Sequence, residues 1–140
     1  MIDIDAGNLV GRYVALWGEP DAGVRRTTIE ELWAEGGGHV LQPPQEIRET
    51  AAGLGFDHTT LEVHGYDAIE ARVAHAYRTF VAPGEYTFRS AGDVVRLREM
   101  VKFTWEMVPV GGGDPVGGGL EVLVLGEDGR IVTDYQFPGP

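Results

Sequence analysis

The hydrophobic period changes once along this chain, and that change limits the fold more than any other feature. Up to Ala82 apolar residues recur at helical spacing; beyond Gly84 they alternate with a period of two. Helices first and strands afterwards predict an α+β fold, in which helices cover one face of an antiparallel sheet. A first helix is expected over 6–17, capped by Asp5, with Leu9, Tyr13, Leu16 and Trp17 on its apolar face. A second is expected over 22–35, capped by Asp21, with Val24, Thr28, Ile29, Leu32 and Trp33 inward, Arg25 outward, and Gly36, Gly37 and Gly38 ending it. A third long helix opens near Gly65 or Asp67 and buries Ile69, Val73, Ala76, Tyr77 and Phe80 before Pro83 and Gly84 close it. Between them lie a short strand over 39–42 and a short helix over 45–52, then loop or brief strand up to His64. The strands of the second half fall at 86–90, 101–107, 120–125 and 131–137, the last two joined by a turn at Glu127, Asp128, Gly129 and Arg130.

A chain of 140 residues with 43% hydrophobic and 24% charged residues can bury a core as one domain, read as 1–140. It has no cysteine, which removes disulfides, thiolate metal sites and cysteine nucleophiles and suits a cytoplasmic setting. The N-terminus lacks the basic and apolar regions of a secretory leader, and no apolar run has membrane-spanning length. Twenty-two acidic residues against eleven basic ones leave a net charge of −11, which argues against a nucleic-acid partner. Neither membrane nor nucleic acid is expected as a partner.

Three segments carry a family resemblance: Arg12 to Trp17, Gly65 to Ile69, and Gly129 to Val132 before the final strand. With Val101 to Glu106 and the element order, they make the chain similar to the SnoaL-like branch of the nuclear transport factor 2-like superfamily. The resemblance implies a cystatin-like cone, three helices on a strongly curved mixed or antiparallel sheet, around an internal pocket. It also implies homodimers through the outer sheet face. The segment 43–64 is longer than such proteins usually carry, and its Ile47, Leu54 and Phe56 could form a lid.

The ketosteroid isomerases of this superfamily supply a yardstick: a carboxylate base, a tyrosine and a protonated carboxylic acid. By similarity the tyrosine falls on Tyr13 and the acid on Glu121, while the base position falls on Gln42, which cannot take a proton at neutral pH. Asp134 is the second candidate, because SnoaL-like cyclases use a late-strand acid for acid–base work. Strand alternation alone puts Tyr135 and Phe137 inside and Asp134 outside; the resemblance turns Asp134 and Gln136 inward. Glu121 likewise has two readings, solvated or facing the cavity with a raised pKa. Trp17, Trp33, His39, Gln42, Phe103, Trp105 and Gln136 are the expected ligand contacts. His39, His58, His64 and His75 show no metal-ligand spacing, so neither metal nor cofactor is expected. The glycine clusters match no nucleotide-binding motif and read as turns and bulges.

Two functions follow. One is a pocket enzyme, an isomerase, cyclase or hydrolase working without a cofactor on a small apolar or polycyclic compound. The other is a non-catalytic domain of the same fold that holds a hydrophobic ligand or dimerises.

Overall fold

The computed structural model describes residues 3–139, so Met1 and Ile2, part of the segment read as lacking a leader, and Pro140 lie outside the described residues. Helix α1 (Ala6–Trp17) begins where the Asp5 carboxylate accepts the Asn8 amide at 3.0 Å. Helix α2 (Ala22–Leu32) is capped in the same way by Asp21 on Val24, again at 3.0 Å. It ends at Leu32, short of the expected Glu35, because Trp33 already opens strand β1 (Trp33–Leu41). The three glycines therefore lie inside a strand instead of ending a helix. The reason is close approach: a Cβ on Gly38 would stand 2.6 Å from the His64 ring on the neighbouring strand.

The face of α2 is also rotated from the expected one. Val24 is exposed, while Arg25 is buried, donates to the Glu19 carbonyl at 2.7 Å and lies over the Tyr77 ring at 4.9 Å. Helix α3 (Gln45–Gly53) and strand β2 (Leu61–His64) come next, then α4 (Tyr66–Ala76), which runs into a π-helical turn at Tyr77–Val81. Ile69, Val73 and Ala76 form its buried stripe, but Tyr77 is only half-buried and Phe80 is exposed. The remaining strands are β3 (Tyr86–Ser90), β4 (Val95–Leu97), β5 (Met100–Pro109), β6 (Gly117–Leu125) and β7 (Ile131–Gly139).

The seven strands make one mixed, open sheet in the order β2-β1-β7-β6-β5-β3, with β4 also paired to β5. Only β1 and β7 run parallel; the other pairs are antiparallel. The core lies between α1, α2 and α4 and one sheet face, with Leu16, Ile29, Trp33, Ile69, Phe103 and Leu123 almost wholly buried. This is the α+β class that the change of period predicts, but with four helices among the described residues, with β1 and β2 formed before Gly84, and with one parallel pair in the sheet.

A β-bulge decides which residues of β7 face that core. Leu125 pairs with Ile131 and Val124 with Thr133, so Val132 is an extra residue without an opposite. Ile131 points inward, and after the extra residue Asp134 points inward too, leaving Tyr135 and Phe137 outside. Simple alternation from Ile131 misses this because one inserted residue reverses every later side chain.

Residues 43–64 pack beside the opposite face of the sheet. Arg48, Ala52 and Phe56 share a cleft there with Val40, Tyr135 and Phe137. Ile47, Leu54 and Phe56 are exposed. Among the described residues no helix is long and apolar enough to cross a membrane.

Candidate functional site

Tyr13 stands at the centre of the site. Helix α1 aims its side chain at the sheet, and three aromatic rings fix it there: Trp17 at 6.0 Å, Trp33 at 5.8 Å and Phe103 at 5.6 Å between centroids. Its hydroxyl reaches Oδ2 of Asp134 on β7 at 2.5 Å and Oε2 of Glu121 on β6 at 3.1 Å. All three side chains are buried.

A phenol has one proton, so it cannot donate to both carboxyl groups. The shorter contact is the donated one, Tyr13 to Asp134. With that proton directed at Asp134, the longer contact can be made only if Glu121 is protonated and donates to the Tyr13 oxygen; with the proton turned round, Tyr13 donates to Glu121 instead. Electrostatics agree. Burial above all, and then the neighbouring Asp134, hold the Glu121 pKa well above the ordinary carboxylate range. The Trp105 indole opposes this rise, but it falls outside hydrogen-bond geometry to Glu121. Burial and the two acids push the Tyr13 pKa up as well, so it keeps its proton.

His39 on β1 sits behind this chain, with Nε2 3.8 Å from Oδ2 of Asp134. Burial is the main cause that lowers its pKa, and the attraction of Asp134 only partly offsets that. It is therefore neutral. Among the described residues, His39 Nε2, Asp134 Oδ1 and Gln136 Oε1 are buried with no hydrogen-bond partner.

Beside this cluster lies a cavity of about 240 Å³. Tyr13, Glu121 and Gln136 form its polar wall, and Trp17, Trp105, Phe80 and Phe88 supply aromatic surface. Asp134 and His39 are not among its lining residues, and they are 0% and 2% exposed. The acid that touches the cavity is Glu121.

Four expected ligand contacts are elsewhere. Trp33 and Phe103 are fully buried core residues that hold the Tyr13 ring, and His39 lies behind the wall. Gln42 lines the cleft on the other side of Gln136. No residue of 43–64 lines the cavity, so the expected lid position is not the one adopted. Arg72, Phe88 and Met107 line the cavity without having been singled out in the sequence. For Arg72 a signal existed: it falls three residues after Ile69 and four before Ala76, on the same stripe of α4.

His39, Glu121 and Asp134 offer metal-ligating atoms within 4.8 Å of one another, and they are the residues that could hold a cation. The donor set fits poorly, however, because the Tyr13 hydroxyl already engages one oxygen of each acid and a protonated glutamic acid is a weak ligand.

No family model and no curated protein matches the chain in sequence. Solved structures do match. A candidate isomerase of the SnoaL-like family from Agrobacterium tumefaciens superposes with a TM-score of 0.75 at 25% identity, covering 96% of this chain and 97% of that one. The fold is that of the SnoaL-like and NTF2-like proteins. A SnoaL-like protein of unknown function from Burkholderia thailandensis matches with a TM-score of 0.65 at 16% identity, over 99% of this chain and 100% of that one. An NTF2-like protein of unknown function from Exiguobacterium gives 0.62 at 18% identity, over 94% and 98%. In this cone, the helix-one tyrosine and the acid on β6 meet at the cavity wall.

Proposed function

We propose that the chain is an enzyme that isomerises or cyclises a small apolar compound by acid–base chemistry, without a cofactor. The observation that carries this reading is a buried glutamic acid at the wall of an apolar cavity, its pKa raised by that burial, in hydrogen-bond contact with a tyrosine that also contacts a second acid. The isomerase naming of the Agrobacterium relative points the same way.

In the first half-reaction Glu121 donates its proton to the ligand, at a carbonyl oxygen or a double bond. The Tyr13 hydroxyl lies within reach of both acids, so its proton can turn from Asp134 to the newly formed Glu121 carboxylate. In the second half-reaction that carboxylate removes a proton from a neighbouring carbon. Protons balance over the cycle, and no base at Gln42 is required. Asp134 and His39 do not touch the ligand; they set the direction of the Tyr13 hydrogen bond.

The test is solvent exchange. A panel of small cyclic ketones and enones is incubated with the protein in D2O, and deuterium uptake is followed by NMR. Uptake should fall about 10²- to 10³-fold in Glu121→Gln and in Tyr13→Phe, the usual loss when one stabilising donor is removed. Equal uptake in Glu121→Gln would refute the acid assignment.

A second reading, a non-catalytic binder, draws on the seclusion of Asp134 and His39, which leaves the cavity without an ionised carboxylate. Ketones that bind but never exchange would favour it. In either reading we place the protein in the cytoplasm as a homodimer joined through the outer sheet face.

A further inference from the structure

The chain has twice as many acidic as basic residues, 22 against 11, and among the described residues four of its ten arginines pair with carboxylates. Arg12 pairs with Glu31, Arg89 with Glu106, Arg96 with Asp3, and Arg26 with Glu30, Asp67 and Glu70. Arg72 differs. It is half-buried, it lines the cavity, and among the described residues it makes no ion pair or side-chain hydrogen bond. Its guanidinium lies 5.6 Å from the centroid of the Trp17 ring, a wall of the same cavity, so its position is set by stacking instead of by a carboxylate.

The other ionisable groups at the cavity are Tyr13 and Glu121, both of which keep their protons. A protein of net charge −11 thus has a cavity whose only charge is positive. That charge reaches the inner cluster, where it helps to depress the His39 pKa. The size is also restrictive. An apolar cavity of about 150 Å³ takes one benzene, so about 240 Å³ holds one or two fused rings and little more.

We propose that Arg72 is an anion subsite, and that the ligand is a small aromatic or alicyclic acid of one or two rings whose carboxylate pairs with its guanidinium. This rests on the reading of the cavity as a ligand pocket and narrows its occupant. The carboxylate would anchor one end of the molecule, and the flat body would lie against the tryptophans. The reacting oxygen or double bond would then fall at Glu121. Arginine suits the first task because its planar fork binds a carboxylate through two parallel hydrogen bonds.

The experiment compares 2-naphthoate with its uncharged isostere 2-naphthamide by isothermal titration calorimetry on the intact protein. For the wild type, naphthoate should bind at least about tenfold more tightly, the scale of a charge-assisted hydrogen-bonded pair. In Arg72→Gln the preference should vanish while naphthamide affinity is unchanged, and Arg72→Lys should keep part of it. Unchanged naphthamide binding also reports that the variant is folded. Equal affinity of the two compounds for the wild type, or a preference that survives Arg72→Gln, would overturn the anion subsite and leave the pocket standing. Failure of both compounds to bind the wild type would overturn the pocket reading, and the subsite with it.

Discussion

Burial moves the chemistry of Glu121 well away from its behaviour in water, and the departure has a thermodynamic sign. Its pKa is raised in the folded state, so above the ordinary glutamate value of about 4.3 the unfolded chain has released a proton that the folded chain still holds. Stability falls with rising pH wherever the unfolded state binds fewer protons. Glu121 therefore contributes fully below about pH 4.3, and its contribution is lost as pH rises toward the folded pKa. His39 acts in the opposite sense. Its pKa is lowered by burial, so stability is lost as pH falls below about 6.5 and the unfolded histidine takes up a proton. Unfolding free energies from urea denaturation across pH should show a decline above about pH 4.3 of at most about 1.4 kcal/mol per pH unit from Glu121. Glu121→Gln should flatten that decline. An unchanged slope in the variant would mean that Glu121 is ionised in the folded protein.

At the scale of elements, β6 supplies both the acid and part of the space it faces. Gly117, Gly119 and Glu121 share one side of the strand, and at Gly119 the Trp105 ring comes so close that a Cβ would stand 2.8 Å from it and 2.7 Å from the Phe137 carbonyl. At Gly117 a Cβ would meet nothing within 4 Å. Gly119→Ala should therefore cost about 1–3 kcal/mol by overpacking, while Gly117→Ala should be nearly neutral; equilibrium denaturation measures both. Equal effects would contradict this account of the strand. The same strand shows what sequence patterns reveal and what they hide. The apolar alternation from Leu120 to Leu125 is legible, but Gly117 to Gly119 reads as a turn because the cross-strand contacts that require glycine involve distant residues. The Val132 bulge is hidden for a related reason: it exists only in the register against β6, and a period-two pattern cannot contain it. Tyr13 and Trp17 are legible from α1 alone, and the caps Asp5 and Asp21 are too, since both signals are local. Arg25 and Arg72 are not, because cations on helices read as solvated until the third layer of contacts is known.

For the whole molecule, the bulge divides the sheet into two unlike faces. The inner face carries Phe103, Glu121 and Asp134; the outer face sets Leu120 beside Phe137 and Val122 beside Tyr135. Tyr135 and Phe137 each remain 40% exposed, and Val132 44%. Cross-strand apolar pairs left in water on an open sheet invite a second sheet. Sedimentation velocity should find a dimer for the wild type and a monomer for Val122→Lys, with the circular dichroism of the two alike. A wild type that stays monomeric at high micromolar concentration would exclude the outer face as the interface.

The glycines of β6 have one more consequence. Glu121 is the acid at the cavity wall, whereas part of the space before it is left open four residues earlier, where Gly117 lines the cavity and a Cβ would meet nothing within 4 Å. Reach and chemistry are thus inherited on separate codons of a single strand. A single larger side chain at Gly117 would shorten the cavity, and Glu121 would keep its place.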